Sequence, residues 1–255
     1  MVLVAAVRDY INRVLQDISG MKVLILDSQT VCIVSVVHSQ SELLQKEVFL
    51  VELVDSISKS KESMSDLKAV YFVRPTSENI QHLQCQLSNP RFGEYHLFFS
   101  NMLKDTQIHI LADSDEWEVV QQVQEFYADF TAIDALHFTL NMSSNHQYVL
   151  PAVVDPSSLP HYCDQVVDVM AAVFLALKQR PLIRYSGTSD ITQGIAHDTY
   201  KLMYQQESGL FDFRRMEMSS LLLIVDRRDD HVTPLLSQWT YQAMVHELLN
   251  IQDLT

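Results

Sequence analysis

A chain of 255 residues, 47% of them hydrophobic, is long enough to bury one large core or two ordinary ones. Eighteen Lys and Arg against 32 Asp and Glu leave a net charge of -14 with no segregated basic patch, which excludes a nucleic-acid backbone as partner. The three cysteines, Cys32, Cys85 and Cys163, form no C-x-x-C pair, which excludes a disulfide framework or structural zinc site and fits a reducing, cytosolic compartment.

Residues 2–18 place Val4, Val7, Ile11, Val14, Leu15 and Ile18 at helical spacing, and Gly20 closes that segment. The apolar start lacks a basic n-region and reads poorly as a signal peptide. Residues 21–27 are a compact apolar run ending in Asp27. The Val-rich stretch 29–44 has strand propensity, yet Val31, Val34 and Val37 fit a three-residue step, and parallel strands on either side need a crossover here, which favours a helix. Strands are expected at 48–53, 69–73 and 95–99, with Arg74-Pro75-Thr76-Ser77-Glu78 opening a helix whose apolar face is Ile80, Leu83 and Leu87. A further helix is predicted from Asp113 and Glu116, at capping-box spacing, through Val119, Val120 and Val123, followed by a fifth strand over 126–133.

This alternation predicts an α/β fold with a doubly wound, mostly parallel five-stranded sheet. From 141 to 160 the composition shifts to Ser, Asn, Pro and His, as in a linker or excursion. A helix over 166–177, stopped by Pro181, a strand at 182–185 and a polar helix over 189–206 follow, an incomplete second α/β region. Its last unit is an apolar strand, Leu221-Leu222-Leu223-Ile224-Val225, a charged turn, and Thr233 as N-cap with Pro234 at the first position of an amphipathic helix. The longest membrane-like stretch, 169–177, falls short of the roughly 20 residues a span needs.

Five glycines in the whole chain, and Ser28-Gln29-Thr30 after the first strand, leave no glycine-rich phosphate loop. Asp226, Asp229 and Asp230 have the chemistry to hold a hard cation, and a metal-dependent phosphohydrolase using Asp226 and Asp230 is the catalytic alternative. Arg227 and Arg228 inside the same loop favour a neutralised structural lock between strand and helix instead. His246-Glu247 is followed by Asn250 where a zincin helix needs its second histidine. No cofactor is expected. Between residues 101 and 130, Ile108, Ile110, Leu111, Trp117, Val119, Val123 and Tyr127 exceed what one core-facing stripe requires, which suggests a groove beside the helix for a peptide with apolar anchors.

The ordered run Leu221-Leu222-Leu223-Ile224-Val225-Asp226-Arg227, Asp230, Thr233-Pro234-Leu235-Leu236 and Thr240-Tyr241-Gln242-Ala243-Met244 resembles the SM (Sec/Munc) family of syntaxin-binding proteins. The likeness extends back through Lys22-Val23-Leu24-Ile25-Leu26-Asp27, Ala69-Val70-Tyr71-Phe72-Val73-Arg74-Pro75-Thr76 and His96-Leu97-Phe98-Phe99-Ser100. Segments 39–48, 125–129 and 238–248 look most like a plant form of the member serving trans-Golgi and endosomal syntaxins.

The resemblance implies a non-catalytic scaffold for docking and fusion in trans-Golgi/endosome to vacuole traffic. It would bind a syntaxin-type SNARE through the SNARE's N-terminal peptide and helical bundle, meeting membranes only through that partner. The implied location is cytoplasmic, peripheral on trans-Golgi and endosomal membranes. The implied peptide pocket is Ile108, Ala112, Val123, Glu125 and Tyr127, with Glu52 on the cleft side, and Asp226, Arg227, Asp230, Thr233 and Pro234 as a structural motif. His231, Cys32, Ser39 and Trp117 depart from the family pattern. Family members continue into a helical third domain and a segment completing the second sheet. The expectation is therefore a first domain over 1–137 and an incomplete second domain over 138–255, without domain 3; a truncated, non-functional paralogue is the remaining alternative.

Overall fold

The computed structural model of the chain describes residues 3–57, 63–140, 159–213 and 220–249, in two compact units, Met1–Asn141 and Met142–Thr255. In the first unit α1 (Leu3–Gln16) buries Val7, Ile11, Val14 and Leu15 on one face. Gly20, at φ +91°, then turns the chain into β1 (Lys22–Leu26), a conformation that favours glycine. There follow α2 (Ser28–Val37), α3 (Gln40–Gln45), β2 (Val48–Leu53), the short α4 (Val54–Ile57), β3 (Met64–Val73), α5 (Ser77–Ser88), β4 (Phe92–Phe99), α6 (Asp105–Ser114) and β5 (Val120–Glu125). The five strands form one parallel sheet in the order β2-β1-β3-β4-β5. A small antiparallel pair, β6 (Thr131–Ala132) and β7 (Phe138–Thr139), closes the unit.

The sheet is buried on both faces, which is why β1 is an unbroken apolar run after its first residue. On one face Val23, Ile25, Tyr71, Val73, Leu97 and Phe99 pack with Ile80, Leu83 and Leu87 of α5 and Leu111 of α6. On the other, Leu24, Val70, Phe72 and Phe98 are buried, and Phe126 stands 5.5 Å, ring to ring, from both Phe98 and Tyr10 of α1. Position 93 must be glycine for the same compactness, since a Cβ there would lie 2.3 Å from the Ser65 carbonyl oxygen.

The Val-rich crossover is helical, as its position between parallel strands predicts; tertiary context overrides β-branched propensity, and a cap helps start it. Asp27 supplies that cap. Its Oδ1 accepts the backbone N–H groups of Gln29 (2.9 Å) and Thr30 (2.8 Å), while Oδ2 accepts the Arg74 N–H (2.8 Å) and the Asn79 side-chain amide (2.7 Å). Alongside, Nε of Arg74 lies 2.8 Å from the buried Asp129, which Asn101 also contacts at 3.2 Å. At the opposite end of β1 the buried Lys22 donates to the Lys46 carbonyl at 2.8 Å and the Leu15 carbonyl at 3.3 Å, fastening the end of α1 to the turn before β2.

One crossover is displaced from its predicted place. The helix runs over Asp105–Ser114, so Asp113 and Glu116 end a helix instead of capping one, and the fifth strand is Val120–Glu125 in place of 126–133. Asp115 explains the shift: its carboxylate accepts the N–H groups of Val119 (3.0 Å) and Val120 (3.1 Å), so it starts a strand. Val120 and Val123 then do what β-branched residues do readily, and lie in extended backbone.

In the second unit α7 (Leu159–Leu177) buries Val166, Val169, Val173 and Leu175. The polar excursion expected over 141–160 lies outside the described residues, except that Leu159 and Pro160 begin this helix. A two-stranded parallel sheet joins β8 (Leu182–Tyr185) to β9 (Leu221–Ile224), and α8 (Asp190–Lys201) continues into a π-helical turn over Leu202–Gln206. The expected helix from Thr233 does not form there. Thr233–Leu235 is a single 3-10 turn and α9 spans Tyr241–Leu249.

Asp230 is the reason the chain turns early: it accepts the N–H groups of Val232 and Thr233, both at 3.0 Å. The charge lock correspondingly joins β9 to the loop before α8. Arg228 pairs with Asp226 at 2.6 Å, Ser189 donates to Asp226 at 2.6 Å, and Asp229 accepts from Ser186 and Thr188 at 3.0 Å each. Among the described residues no helix is long and apolar enough to cross a membrane.

Two outcomes follow from these networks. Asp27→Ala removes a cap worth about 1 kcal/mol and leaves two buried donors unmatched at roughly 1–3 kcal/mol each. We expect a loss of about 3–7 kcal/mol in urea unfolding; a loss under about 1 kcal/mol would show the network to be incidental. The Arg228 guanidinium, aided by Ser189, holds the Asp226 carboxyl well below the usual carboxylate range. A depressed folded-state pKa means that the lock's contribution is present above the ordinary value and is lost only as pH falls through the folded one. The Asp226 carboxyl resonance should accordingly titrate at lower pH than surface aspartates, and Arg228→Gln should move its midpoint upward.

Candidate functional site

β5 is at one edge of the sheet, so among the described residues a row of its N–H and C=O groups has no strand partner, and residues of α6 and β5 line one cavity. Between the two is a cavity of about 310 Å³ lined by Leu97, Ile108, Leu111, Ala112, Asp115, Val120 and Val123. Its floor comes from β4 and its walls from α6 and β5. Ile108 and Val123 are 44% and 46% exposed, too much for core residues and suited to the walls of an open apolar groove.

Two carboxylates set its width. Asp115, at the end of α6, takes the first amides of β5 as described, and at the other end Glu125 accepts the Leu103 N–H at 2.7 Å, just before α6 begins. Glu125 also accepts the Tyr127 hydroxyl at 2.8 Å. Gln107 adds a third tie: its side-chain amide donates to the Pro75 carbonyl at 2.7 Å. α6 is thus clipped to the edge strand at both ends, and the apolar space between is held open.

The five residues expected to form one pocket divide into two groups. Ile108, Ala112 and Val123 share the apolar groove, whereas Glu125 and Tyr127 line a separate polar cleft of about 500 Å³ with Tyr10, Arg13, Asp17, Gln124 and Phe126. The groove lies between helix and strand, because the segment read as one helix is a helix, a turn and a strand. Leu111, named in the apolar surplus, does line the groove; sequence reasoning missed Asp115, Leu97 and Val120 as lining residues. The available signal was an aspartate in a polar turn ahead of two adjacent valines.

Glu52 lies on β2, at the opposite edge of the sheet. Four strand spacings put it roughly 19 Å from the groove. Its neighbours Phe49, Val51 and Leu53 expose their side chains on alternate positions. In the second unit, Asp226 and Asp230 are each committed to an arginine and to backbone or hydroxyl donors, and Asp229 accepts the hydroxyls of Ser186 and Thr188. Among the described residues no group of three His, Cys, Asp or Glu side chains converges as metal ligands.

The comparisons with known proteins agree on one likeness. A family model described as the Sec1 family matches residues 22–255. The vacuolar protein sorting-associated protein 45 homolog of Arabidopsis thaliana is 76% identical over 253 residues, covering 99% of this chain and 44% of that protein. Vacuolar protein sorting-associated protein 45 of Dictyostelium discoideum is 46% identical over 253 residues, covering 98% of this chain and 43% of that protein. The solved structure of the SM protein Vps45 in complex with the Qa SNARE Tlg2 superposes with a TM-score of 0.88 at 42% identity, over 97% of this chain and 44% of that chain. The chain spans less than half the length of the curated relatives it matches.

Removing either clip should loosen the groove without unfolding the sheet. In amide hydrogen exchange, Glu125→Ala should raise the rate at Leu103 about tenfold, and Asp115→Ala the rates at Val119 and Val120, as expected for the loss of one charged hydrogen bond each. Unchanged protection at these amides would show that the clips do not hold the helix.

Proposed function

Because the chain belongs to the Sec1 family of SM proteins, we propose that it is a SNARE-binding regulator of vesicle docking and membrane fusion in trans-Golgi/endosome to vacuole traffic, acting by binding and not by catalysis. The observation that carries this reading is the clipped apolar groove between α6 and β5, with Ile108, Ala112 and Val123 on its walls. Its volume suits a few apolar side chains of a short peptide. We assign it to the N-terminal peptide of a syntaxin-type SNARE. The relative solved with the Qa SNARE Tlg2 supports a partner of that class.

In this reading Glu125 and Tyr127 act beside the groove, Glu125 by setting the position of α6. The helical bundle of the SNARE meets the far edge of the sheet, where Glu52 and the exposed Phe49, Val51 and Leu53 of β2 lie. Residues 1–137 form the family's first domain and 138–255 the first part of its second, with Asp226, Arg227, Asp230, Thr233 and Pro234 serving its internal structure. Asp226 and Asp230 are spent on ion pairs, which disfavours a phosphohydrolase. No cofactor takes part, and membranes are met through the SNARE, peripherally on trans-Golgi and endosomal surfaces from the cytoplasm.

Ile108→Arg places a charge on the apolar wall at an exposed position, so the fold should tolerate it. Titration of a labelled syntaxin N-terminal peptide should show binding to the parent chain and at least a tenfold loss in the variant, with the melting temperature unchanged. Equal affinities would remove the groove from the binding site, and no binding by the parent would favour a non-functional paralogue.

A further inference from the structure

The second unit places three side chains in contact in series, Arg180, Tyr204 and Tyr200, away from the charge lock around Asp226. α7 ends at Leu177, and Lys178, at φ +54°, turns the chain out of it; its N–H donates to the Leu175 carbonyl at 3.1 Å and that of Gln179 to the Phe174 carbonyl at 3.0 Å. Arg180 follows, with its guanidinium carbon 4.9 Å from the centre of the Tyr204 ring. The Tyr204 hydroxyl donates to the Pro181 carbonyl at 2.9 Å, which pins the ring beside the backbone that carries Arg180. Tyr200 stacks on Tyr204, with ring centres 4.8 Å apart and planes 16° from parallel. Tyr204 itself sits in the π-helical turn, which the Glu207 N–H closes on the Leu202 carbonyl at 2.9 Å, five residues back. Such turns occur frequently at functional sites.

Charge is reversed here relative to the rest of this acidic chain. From Val169 to Ser189 the sequence contains Lys178, Arg180 and Arg184 and neither Asp nor Glu, and Lys201 follows Tyr200. Lys178, Arg180 and Lys201 are exposed, and among the described residues none of them pairs with a carboxylate. The end of α7 accounts for Lys178, because a cation suits the last carbonyls of a helix. It does not account for Arg180. That side chain is ordered against a pinned ring, while among the described residues its N–H donors meet no acceptor.

We propose that Arg180, Tyr204 and Tyr200 form a docking site for an acidic peptide segment of a partner protein, with an Asp or Glu carboxylate on the Arg180 guanidinium and an apolar or aromatic side chain against Tyr200. A guanidinium matches a carboxylate through two parallel hydrogen bonds, and one already held on a ring loses little further freedom on capture. Tyr200, 45% exposed, offers the adjoining ring surface, and Lys178 and Lys201 bring further positive charge to either side. A peptide suits the site better than an anionic bilayer does. Electrostatic membrane attachment draws on clusters of about four to eight cations, and the net charge of -14 opposes it. The site lies in the second unit and does not rest on the groove reading.

The test pans a display library of short random peptides on the 255-residue chain and titrates the recovered peptides, labelled, against the parent and its variants. A class with Asp or Glu beside an apolar or aromatic residue should emerge. Its affinity should fall about tenfold in Arg180→Gln and about threefold in Tyr200→Ala. Arg180→Lys, which keeps the charge and loses the planar fork, should still lose about threefold. These variants alter exposed side chains, so the melting temperature should hold, and Ile108→Arg should leave the same peptides bound as tightly as the parent does. Absence of an acidic class, or acidic peptides that bind Arg180→Gln as well as the parent, would overturn the site; so would acidic peptides lost in Ile108→Arg alone, which would belong to the groove. Vesicles of equal parts phosphatidylserine and phosphatidylcholine should leave the chain in the supernatant on sedimentation. Cosedimentation that Arg180→Gln abolishes would overturn the peptide in favour of a lipid surface.

Discussion

Four hydrogen bonds onto one buried carboxylate hold the first unit in its working form. Asp27 sits at the carboxyl end of β1, beside β3, where the strand order 2-1-3-4-5 reverses and where open α/β sheets generally leave a crevice for a ligand. Here the crevice is filled from within. Asp27 occupies it with both oxygens, binding the first turn of α2, the backbone after β3 and Asn79 of α5. The adjoining Arg74, Asp129 and Asn101 extend the seal under the neighbouring strand ends. A sheet whose usual ligand seat is used for its own cohesion presents its remaining binding surface at its edges.

The consequence is visible in how this acidic chain distributes its carboxylates. One set is internal: Asp27 and Asp129 in the first unit and Asp226 in the second are buried or nearly so and are matched by amides, hydroxyls or arginine. A second set, Asp115 and Glu125, accepts backbone amides at the surface and frames the groove. The third, around Trp117, faces solvent. The sheet and the groove are thus each fixed by their own carboxylates.

Much of this was legible in the sequence. Four of the five strands, and the crossovers at 28–37 and 77–88, follow from apolar runs and from the need to connect parallel strands. The fifth strand was misplaced because it is an edge strand: Val-Gln-Gln-Val-Gln-Glu is half solvated and lacks the continuous apolar run that marks a buried one. Asp113 and Glu116 have the spacing of a helix start, yet a side chain two residues past Asp113 captures the next strand. Thr233-Pro234 likewise has the signature of a helix start, but Asp230 takes the Thr233 amide first and the long helix waits until Tyr241. In each case a local aspartate hydrogen bond, invisible to periodicity, decided the boundary. The family resemblance placed Ile108, Ala112 and Val123 in one groove but could not foresee that Glu125 turns towards Leu103 and Tyr127, because that depends on where β5 ends.

The two clips also separate frame from lining in an evolutionary sense. The groove's dimensions are written into Asp115, Glu125 and backbone amides, which any side chain leaves unchanged. Ile108, Ala112 and Val123 are free of structural hydrogen-bonding duty and can be exchanged for larger, smaller or polar residues at little cost to the fold. A duplicated gene can therefore drift to a new partner by substitutions on the walls alone, while the scaffold that presents them is inherited intact.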